Sequence, residues 1–374
     1  MRINIVMLAV TLLALLAGSQ FLGSTTSSRS WPAQPGTSGP AAMRREHGVA
    51  CLAVALLIGC GTAWAAPAPQ PGSVWTIQGE NDSVSTTLGG TDRFYSSGLR
   101  LGWTSGTDMV PPAVADAARV VWGDGIVRIS FNLTHQIYTP IDIRRVVPDP
   151  RDRPLAGYLA GTFSVLHDTE RSRSVVALTM GMIGPLALGR PVQNGFHELI
   201  RIPVNNGWGA QMANEPQIEL LAERTWRLPL LRAGGLETDL LPSLTAGVGT
   251  VRNYVQTGII LRLGQGLERD FGVARIRPGV TGGDAFVAAP GFAWYVFAGL
   301  NGQVVARDAF LDGLLWQNSA HVRRHWLLGA MEAGVAVIWH GVRLTYTQTW
   351  QTQSFRGQRG GLFNFGSLAV SVRF

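Results

Sequence analysis

The sequence predicts an all-β protein, a transmembrane antiparallel up-and-down β-barrel of about 12 strands, and three observations indicate it. The last residues alternate strictly between apolar and small or polar side chains and end on an aromatic, the apolar ones being Leu368, Val370, Val372 and Phe374. Mean hydropathy is +0.15 and 15% of residues are charged, yet no run after residue 65 reaches the roughly 18 apolar residues of a membrane helix. The 46 glycines and 12 tryptophans suit tight turns and interfacial aromatic girdles.

The same two-residue period recurs along the chain. Residues 127–134, 96–104 and 342–350 each place apolar side chains on one face and polar side chains, including an arginine, on the other. A lipid-facing wall around a polar lumen explains this pattern. A soluble β-sandwich, which buries one face and exposes the other, allows it as well and stays open as an alternative.

Alternating segments divide the chain into thirteen strand candidates. They lie near residues 73–80, 97–106, 126–135, 157–166, 173–182, 216–225, 238–249, 254–264, 293–300, 303–311, 326–339 and 341–352, with the final segment last. An even-stranded barrel has no place for a thirteenth strand, so one candidate is misassigned or is a short rim strand. The assignment of 293–300 and 303–311 as two strands has the weakest support in the pattern. A barrel of this size has a lumen filled by side chains and plugs and does not form a large pore.

The first 65 residues contain two apolar segments, 3–22 and 49–64. The second has the parts of a secretory signal, namely Met43 with two arginines, an apolar core and a small-residue site ending at Ala65. We therefore expect residues 1–42 to be an over-extended N-terminus, 43–65 a signal peptide and 66–374 one outer-membrane β-barrel domain. The alternatives are a genuine anchor in the first segment and lipidation at Cys60. Both cysteines lie in the signal segment, so the expected mature chain has none.

The basic residues are all arginines, and the formal net charge is +7. They are spread over strands and turns rather than gathered into a patch, which speaks against nucleic acid as a partner. Contact with anionic lipid headgroups explains them better. We expect a monomer in the outer membrane that has lipid partners.

Polar segments cluster at the predicted strand ends. They are Glu80–Asp82, Thr91–Arg100, Gln136–Pro140, Asp152–Pro154, Gln193–His197, Gly207–Gln211 and Asn214–Glu215. A purely structural pore does not require so many. Together these blocks resemble the outer-membrane lipid A deacylase family, the LpxR-type enzymes, and the resemblance runs in order over residues 74 to 374. It implies a twelve-strand barrel with a calcium-dependent ester hydrolase site near the outer rim, which removes the 3′-linked acyl chains of lipid A.

The resemblance also implies roles for individual residues. The family's Asn-Asp pair, which helps to hold Ca²⁺, falls on Asn81 and Asp82, and its catalytic histidine falls on His197. Its hydroxyl residue falls on Ser96, where some members have threonine. Catalytic roles are therefore expected for His197, Ser96 and Asp82.

Two further parts of the family pattern match less closely. The basic pair expected to bind substrate falls on Arg144 and Arg145, although one member of that pair is a lysine elsewhere. A family glutamate six residues after the histidine is replaced by Pro203, so Glu198 or Glu215 is expected to supply that calcium ligand.

The chemistry of these residue types agrees with the resemblance. Ester hydrolysis needs a base for water and donors or positive charge for the oxyanion. A neutral His197 can be the base, and Asn81 and Asp82 offer the oxygen ligands that Ca²⁺ prefers. Bound Ca²⁺ would polarise the ester carbonyl, and Ser96, with inward parity, is expected to aid the oxyanion. No Gly-x-Ser-x-Gly elbow is present, which argues against an acyl-serine route.

Plainer readings remain open at this stage. His197 could be structural, the Asn81–Asp82 pair an ordinary turn cap and the Arg144–Arg145 pair a solvated turn. For the whole chain, a phospholipase-type esterase and a non-catalytic structural or transport barrel are the alternatives.

Overall fold

The computed structural model describes residues 67–83, 92–273, 275–276, 285–288 and 290–374. The expected over-extended N-terminus, 1–42, and signal peptide, 43–65, lie outside the described residues and stay predictions. The described chain forms one barrel of antiparallel strands.

Thirteen strands occur in the described residues. Their bounds are β1 Val74–Asn81, β2 Phe94–Thr104, β3 Ile126–Thr139, β4 Ala156–Asp168, β5 Ser172–Ile183, β6 Glu215–Trp226, β7 Leu228–Ala233, β8 Leu236–Gly249, β9 Arg252–Gln265, β10 Ala293–Asp308, β11 Leu327–Trp339, β12 Val342–Gln351 and β13 Phe363–Arg373. Strand β1 pairs with β13, and β6 pairs with β8 as well as with β5. These pairings close a ring of twelve strands, and β7 lies outside it, bonded only to β8. The predicted fold class is confirmed.

The strand candidates differ from the structure in two places. Candidates 293–300 and 303–311 are one strand, β10, because the ladders to β9 and β11 continue through Asn301 and Gly302, where the apolar alternation lapses. Strand β7 was not among the candidates because every residue of Leu228–Ala233 is exposed and the segment has no two-residue period.

Three α-helices lie in the described residues: α1 Pro112–Trp122, α2 Gly189–Leu199 and α3 Ala309–Asp312. Within this part of the chain, no helix combines the length and the apolar character needed to span a membrane. Helix α1 connects β2 to β3 and packs Ala118 and Trp122 against Val127. Helix α2 belongs to the long connection between β5 and β6.

The alternation sorts side chains between an apolar outer wall and a polar lumen. Leu368 and Val370 are 54% and 39% exposed on the outside, while Ser371 is buried with its Oγ 2.8 Å from the Oγ1 of Thr76. The predicted polar-face arginines Arg100, Arg128 and Arg343 lie in the lumen with hydrogen-bond or ion-pair partners there, and so does Arg262.

The two ends of the barrel differ. We call the end that holds Val74 and Arg373 the lower rim, and the opposite end, where β1 stops at Asn81, the upper rim. An aromatic cluster fills the lumen at the upper rim, and its members include Phe94, Tyr138, Phe310, Phe355 and Phe363.

The described residues of the connection between β9 and β10 are 266–273, 275–276, 285–288 and 290–292, and most of them up to Phe286 are buried inside the barrel. They are called the lumen segment below. Asp270 of this segment lies near the lower rim, where its carboxylate accepts from Arg262, Arg343 and Tyr295. Ile276 meets residues at the upper rim. The segment therefore runs most of the height of the barrel.

The outer wall makes the first prediction. Val370→Arg should lower the free energy of unfolding by about 2–4 kcal/mol if the site lies near the bilayer midplane, because it turns a charge towards lipid. The matched control Val370→Leu keeps an apolar side chain and should fold like the wild type. Folding titrations in lipid vesicles measure both, and equal stability of the two variants would contradict the outward assignment.

Candidate active site

Helix α2 lies against the outer wall of the barrel near the upper rim. His135 of β3 points outward with the same parity as the exposed Leu133, and its Nε2 is 2.9 Å from the carbonyl oxygen of Ala187, just before the helix. Gly157 of β4 faces Gly189 so closely that a Cβ on Gly157 would stand 3.1 Å from the Cα of Gly189. Two glycines therefore let the helix and the wall touch.

The helix turns one face towards the wall and the other away from it. Gly189, Gln193 and His197 are spaced four residues apart and form the buried face. Apolar side chains on and beside the helix are exposed on the outside of the barrel; they are Leu186, Leu188, Phe196, Leu199 and Ile200. The side chain of His197 thus lies between the barrel wall and a helix with an apolar outer surface.

Both ring nitrogens of His197 have a neighbour. Nδ1 is 2.7 Å from the carbonyl oxygen of Pro203, and because a carbonyl only accepts, Nδ1 carries a hydrogen. In the neutral ring the lone pair is then on Nε2, which is 3.2 Å from Oδ2 of Asp92. Nε2 is therefore the basic atom, and the carboxylate beside it stabilises the imidazolium that forms when Nε2 takes up a proton.

Asp92 is held in place from several directions. Its backbone has φ +65°, in the left-handed region that non-glycine residues seldom adopt. Gln193 donates to its Oδ1 at 3.2 Å, and Gln193 in turn accepts from Asn205 and from the indole of Trp208 at 3.0 and 3.1 Å. The pair of Asp92 and His197 is therefore fixed by α2 and by the loop that follows it.

Asp82 lies one residue beyond β1 and is buried. Its Oδ2 accepts from the backbone N–H of Arg93 at 2.9 Å, whereas its buried Oδ1 has no hydrogen-bond partner of normal geometry among the described residues. Burial raises the pKa of Asp82 to about 7, and the nearby carboxylate of Asp92 adds to the increase. An unpartnered buried oxygen beside a second carboxylate fits a proton or a cation.

Asn81 forms the turn cap that the sequence allowed, and its metal-binding role stays a prediction. Its Oδ1 accepts the backbone N–H of Ser83 at 2.6 Å, which is a turn cap. The cap fixes the turn that presents Asp82, and Asn81 itself is half-buried at the upper rim.

Ser96 is the extra residue of a β-bulge in β2, between Tyr95 and Ser97. Its Oγ is 2.5 Å from the Oγ1 of Thr139, which donates to the carbonyl oxygen of Asp92 at 2.7 Å. Because the one hydroxyl proton of Thr139 goes to Asp92, Ser96 is the donor to Thr139. In this arrangement its proton is directed to Thr139 and, through Thr139, supports the backbone of Asp92.

The structure does not bring Glu215 to Asp82. The ring order places five strand-to-strand steps between β1 and β6, where Glu215 is the first residue. Its buried carboxylate accepts the backbone N–H groups of Leu315 and Trp316 at 2.9 and 3.0 Å. These bonds give Glu215 a structural role on the far side of the upper rim. The sequence pattern did not reveal these surroundings, because they depend on the path of the chain.

Arg144 and Arg145 lie in the connection between β3 and β4, with exposed side chains. The loop that carries them is tied to the region after α2, because Asn206 donates from its side chain to the carbonyl oxygen of Arg144 at 3.0 Å and from its backbone to Ile143 at 2.9 Å. Both arginines therefore flank the helix that bears His197 and are open to solvent.

Three of the predicted residues, Asp82, Ser96 and His197, come together through Asp92, to which Ser96 is linked by way of Thr139; Asn81 adjoins Asp82 in the chain. Asp92 and Gln193 were not among the predicted site residues. Both lie inside polar segments that the sequence marks, and that position is the only signal they carry before the chain path is known.

The donor set allows a test of fit for Ca²⁺. In the described part of the chain, no three His, Cys, Asp or Glu side chains are grouped so as to hold a metal ion. Ca²⁺ also accepts amide and backbone carbonyl oxygens and water, so a site needs few carboxylates. Asp82, with its unpartnered Oδ1, and Asp92 fit such a site when neutral oxygens complete it.

The raised pKa of Asp82 makes stability depend on pH. Between about pH 4 and pH 7 the folded protein holds a proton that the unfolded chain has released, so the free energy of unfolding falls as pH rises through this window. Asp82→Asn should therefore stabilise the metal-free protein at pH 8, by at most about 4 kcal/mol, and have little effect at pH 4.

Equilibrium unfolding in the presence of chelator measures this effect. The control is Asp152→Asn, which should destabilise the protein at pH 8 because both Asp152 oxygens accept backbone N–H groups, from Ile141 and Arg153 at 2.8 and 2.7 Å. An Asp82→Asn variant less stable than the wild type at pH 8 would mean that the carboxylate is not strained by burial.

Comparison with known proteins identifies the family. The family described as outer membrane protein LpxR matches residues 50–374. Among solved structures, LpxR from Salmonella typhimurium is similar with a TM-score of 0.65 and 20% identity, over 81% of this chain and 100% of that one. The β domain of the Bordetella autotransporter BrkA has a TM-score of 0.40 at 11% identity, over 82% of this chain and 100% of that one. A search of curated proteins gave no match. The chain belongs to the LpxR family of outer membrane proteins.

Proposed function

We propose that this protein is a lipid A deacylase of the outer membrane, which hydrolyses the 3′-linked acyl ester of lipid A with water activated by His197. Membership of the LpxR family supports an outer-membrane enzyme that modifies lipid A. The observation that carries the proposal is the His197–Asp92 pair beside the unpartnered Oδ1 of Asp82, beneath a helix on the outer wall.

In this proposal His197 is the general base. Nε2 takes a proton from water while the water oxygen attacks the ester carbonyl carbon, and Asp92 stabilises the resulting imidazolium. As the tetrahedral intermediate collapses, the proton passes from Nε2 to the leaving alkoxide oxygen. The products are a free hydroxyl on the sugar and a fatty acid, with no covalent acyl-enzyme.

Asp82 and Asp92 would hold Ca²⁺, with neutral oxygens such as that of Asn81 as further candidates. When bound, Ca²⁺ supplies Lewis-acid stabilisation of the carbonyl oxygen. Asp82 must give up its proton to bind a cation, and its raised pKa therefore makes cation binding stronger as pH rises through about 7.

Ser96 acts indirectly in this proposal. Its hydroxyl hydrogen bond to Thr139 secures the backbone of Asp92, which makes it a positioning residue and not an oxyanion donor. Loss of the Ser96 hydroxyl should therefore cost less activity than loss of the His197 imidazole.

Two surfaces suit lipid A as the substrate. The apolar outer side of α2, with exposed Phe196 and Leu199, offers contact for acyl chains in the outer leaflet. Arg144 and Arg145 are exposed beside it and can bind the phosphates of lipid A through their guanidinium groups.

The base assignment makes the third prediction. His197→Ala should reach the outer membrane and lose about 10²–10⁴-fold in deacylation rate, because general-base removal typically costs that much. His321→Ala, which changes an exposed histidine between β10 and β11, is the control and should keep full activity. Mass spectrometry of lipid A measures the loss of acyl chains.

The same spectra separate the alternatives. Lysophospholipid in place of deacylated lipid A would indicate a phospholipase-type esterase, and no change in any lipid would indicate a non-catalytic barrel. Wild-type activity that survives in His197→Ala would remove the histidine from the mechanism.

Metal dependence is the fourth prediction. Excess chelator should abolish deacylation, and Ca²⁺ should restore it better than Mg²⁺, which demands a tighter octahedral shell. Asp82→Asn should need more Ca²⁺ for half-maximal rate, whereas Asp152→Asn should not. Full wild-type activity in chelator would exclude the ion.

A further inference from the structure

The lumen segment is fixed at its lower end by buried charges. Asp270 accepts from Arg262 at 2.6 Å and from Tyr295 at 2.8 Å, and Phe271 lies between two guanidinium groups, with Arg173 and Arg227 at 4.9 and 4.0 Å from its ring centroid. A segment anchored in this way inside the barrel can restrain the residues that it contacts at the upper rim.

What it touches above is the end of β1. The backbone N–H of Ile276 donates to Oε1 of Glu80 at 3.1 Å, and the carbonyl oxygen of Ile276 accepts from the side chain of Gln136 on β3 at 2.8 Å. Ile276 is 5% exposed. The segment therefore bonds to two neighbouring regions of the upper rim through one residue.

Glu80 is a buried carboxylate, 3% exposed, whose hydrogen bonds come from neutral donors. Besides Ile276, these are the hydroxyl of Tyr95, 2.9 Å from Oε2, and the amide of Gln78, 3.2 Å from Oε1. A buried carboxylate must keep its donors, so each of them restrains the position of Glu80.

Glu80 directly precedes the turn formed by Asn81 and Asp82, and it is the second-last residue of β1. It stands in the ladder opposite Gly98 of β2 and Ser367 of β13. Neither glycine nor serine provides a large side chain that could pack against Glu80 there. The ladder holds its backbone, and the hydrogen bonds inside the lumen are therefore the main restraint on its side chain.

We propose that Glu80 is a positioning residue. The lumen segment contacts Glu80 from inside the barrel and thereby braces the turn that carries Asn81 and Asp82. The part of this inference that concerns cation affinity rests on the proposed function. The brace itself does not, because it concerns only the order of the turn.

The test separates position from charge with two variants of Glu80. Glu80→Ala removes all three hydrogen bonds, whereas Glu80→Gln keeps the shape and can keep the bonds, since the hydroxyl of Tyr95 can accept as well as donate. The control is Glu219→Ala, which removes another buried lumen glutamate, on β6, five steps around the ring.

Hydrogen–deuterium exchange of the metal-free protein in bilayer nanodiscs is the first measurement. Amides of residues 79–83 should exchange at least about tenfold faster in Glu80→Ala, and within about threefold of wild type in Glu80→Gln and Glu219→Ala. If Glu80→Ala fails to fold, Tyr95→Phe, which removes one donor only, should accelerate the same amides by about threefold. Unchanged exchange in the folded variant, or equal acceleration in Glu80→Gln and Glu80→Ala, would overturn the inference.

Calcium titration by calorimetry is the second measurement. The dissociation constant should rise at least about fivefold in Glu80→Ala and recover in Glu80→Gln. A Glu80→Ala variant that binds Ca²⁺ like the wild type would overturn the link between brace and site. A wild type that binds no Ca²⁺ would contradict the cation in the proposed function, and the exchange data would then decide the brace alone.

Discussion

Closure of the ring is the constraint on which the molecule depends. In hydrocarbon every strand N–H and C=O must be paired within the protein, and the β1–β13 and β6–β8 pairings leave no open edge in the wall. Side chains of the wall then point either to lipid or to the lumen, and charged side chains point to the lumen. Asp168 is shared there by Arg128 and Arg173, each within 2.7 Å. Asp270 of the lumen segment forms a second such cluster with Arg262 and Arg343.

The candidate site arises where the regular ladder stops. The bulge at Ser96, the left-handed backbone of Asp92 and the capped turn at Asn81 all lie at the upper rim, where departures from strand geometry do not open the wall to lipid. Helix α2 adds His197, the proposed base, from outside, and Gly189 permits the contact of the helix with the wall. The candidate site thus combines irregular backbone at the rim with a helix, and a rigid barrel supports both.

The sequence predicted the ring well because every strand repeats one simple pattern, and even the doubtful break near Asn301 lay inside a strand. It predicted neither α1 nor α2, since short helices between strands lack a signal as regular as the dyad repeat. His197, Asp82 and Ser96 were found through the family resemblance. The Pro203 carbonyl could not be found, because a backbone acceptor leaves no mark in residue type and its role depends on the chain path after α2.

The position of α2 outside the barrel also determines how molecules reach the candidate site. The interface between α2 and the outer wall faces the leaflet, so the amphiphile proposed as substrate would arrive by lateral diffusion and need not leave the membrane. The encounter frequency then follows the mole fraction of the amphiphile in the surface, and dilution by other lipids lowers it even when the bulk concentration is unchanged. The rate at such a site therefore depends on the surface concentration of the amphiphile, as in a two-dimensional solution.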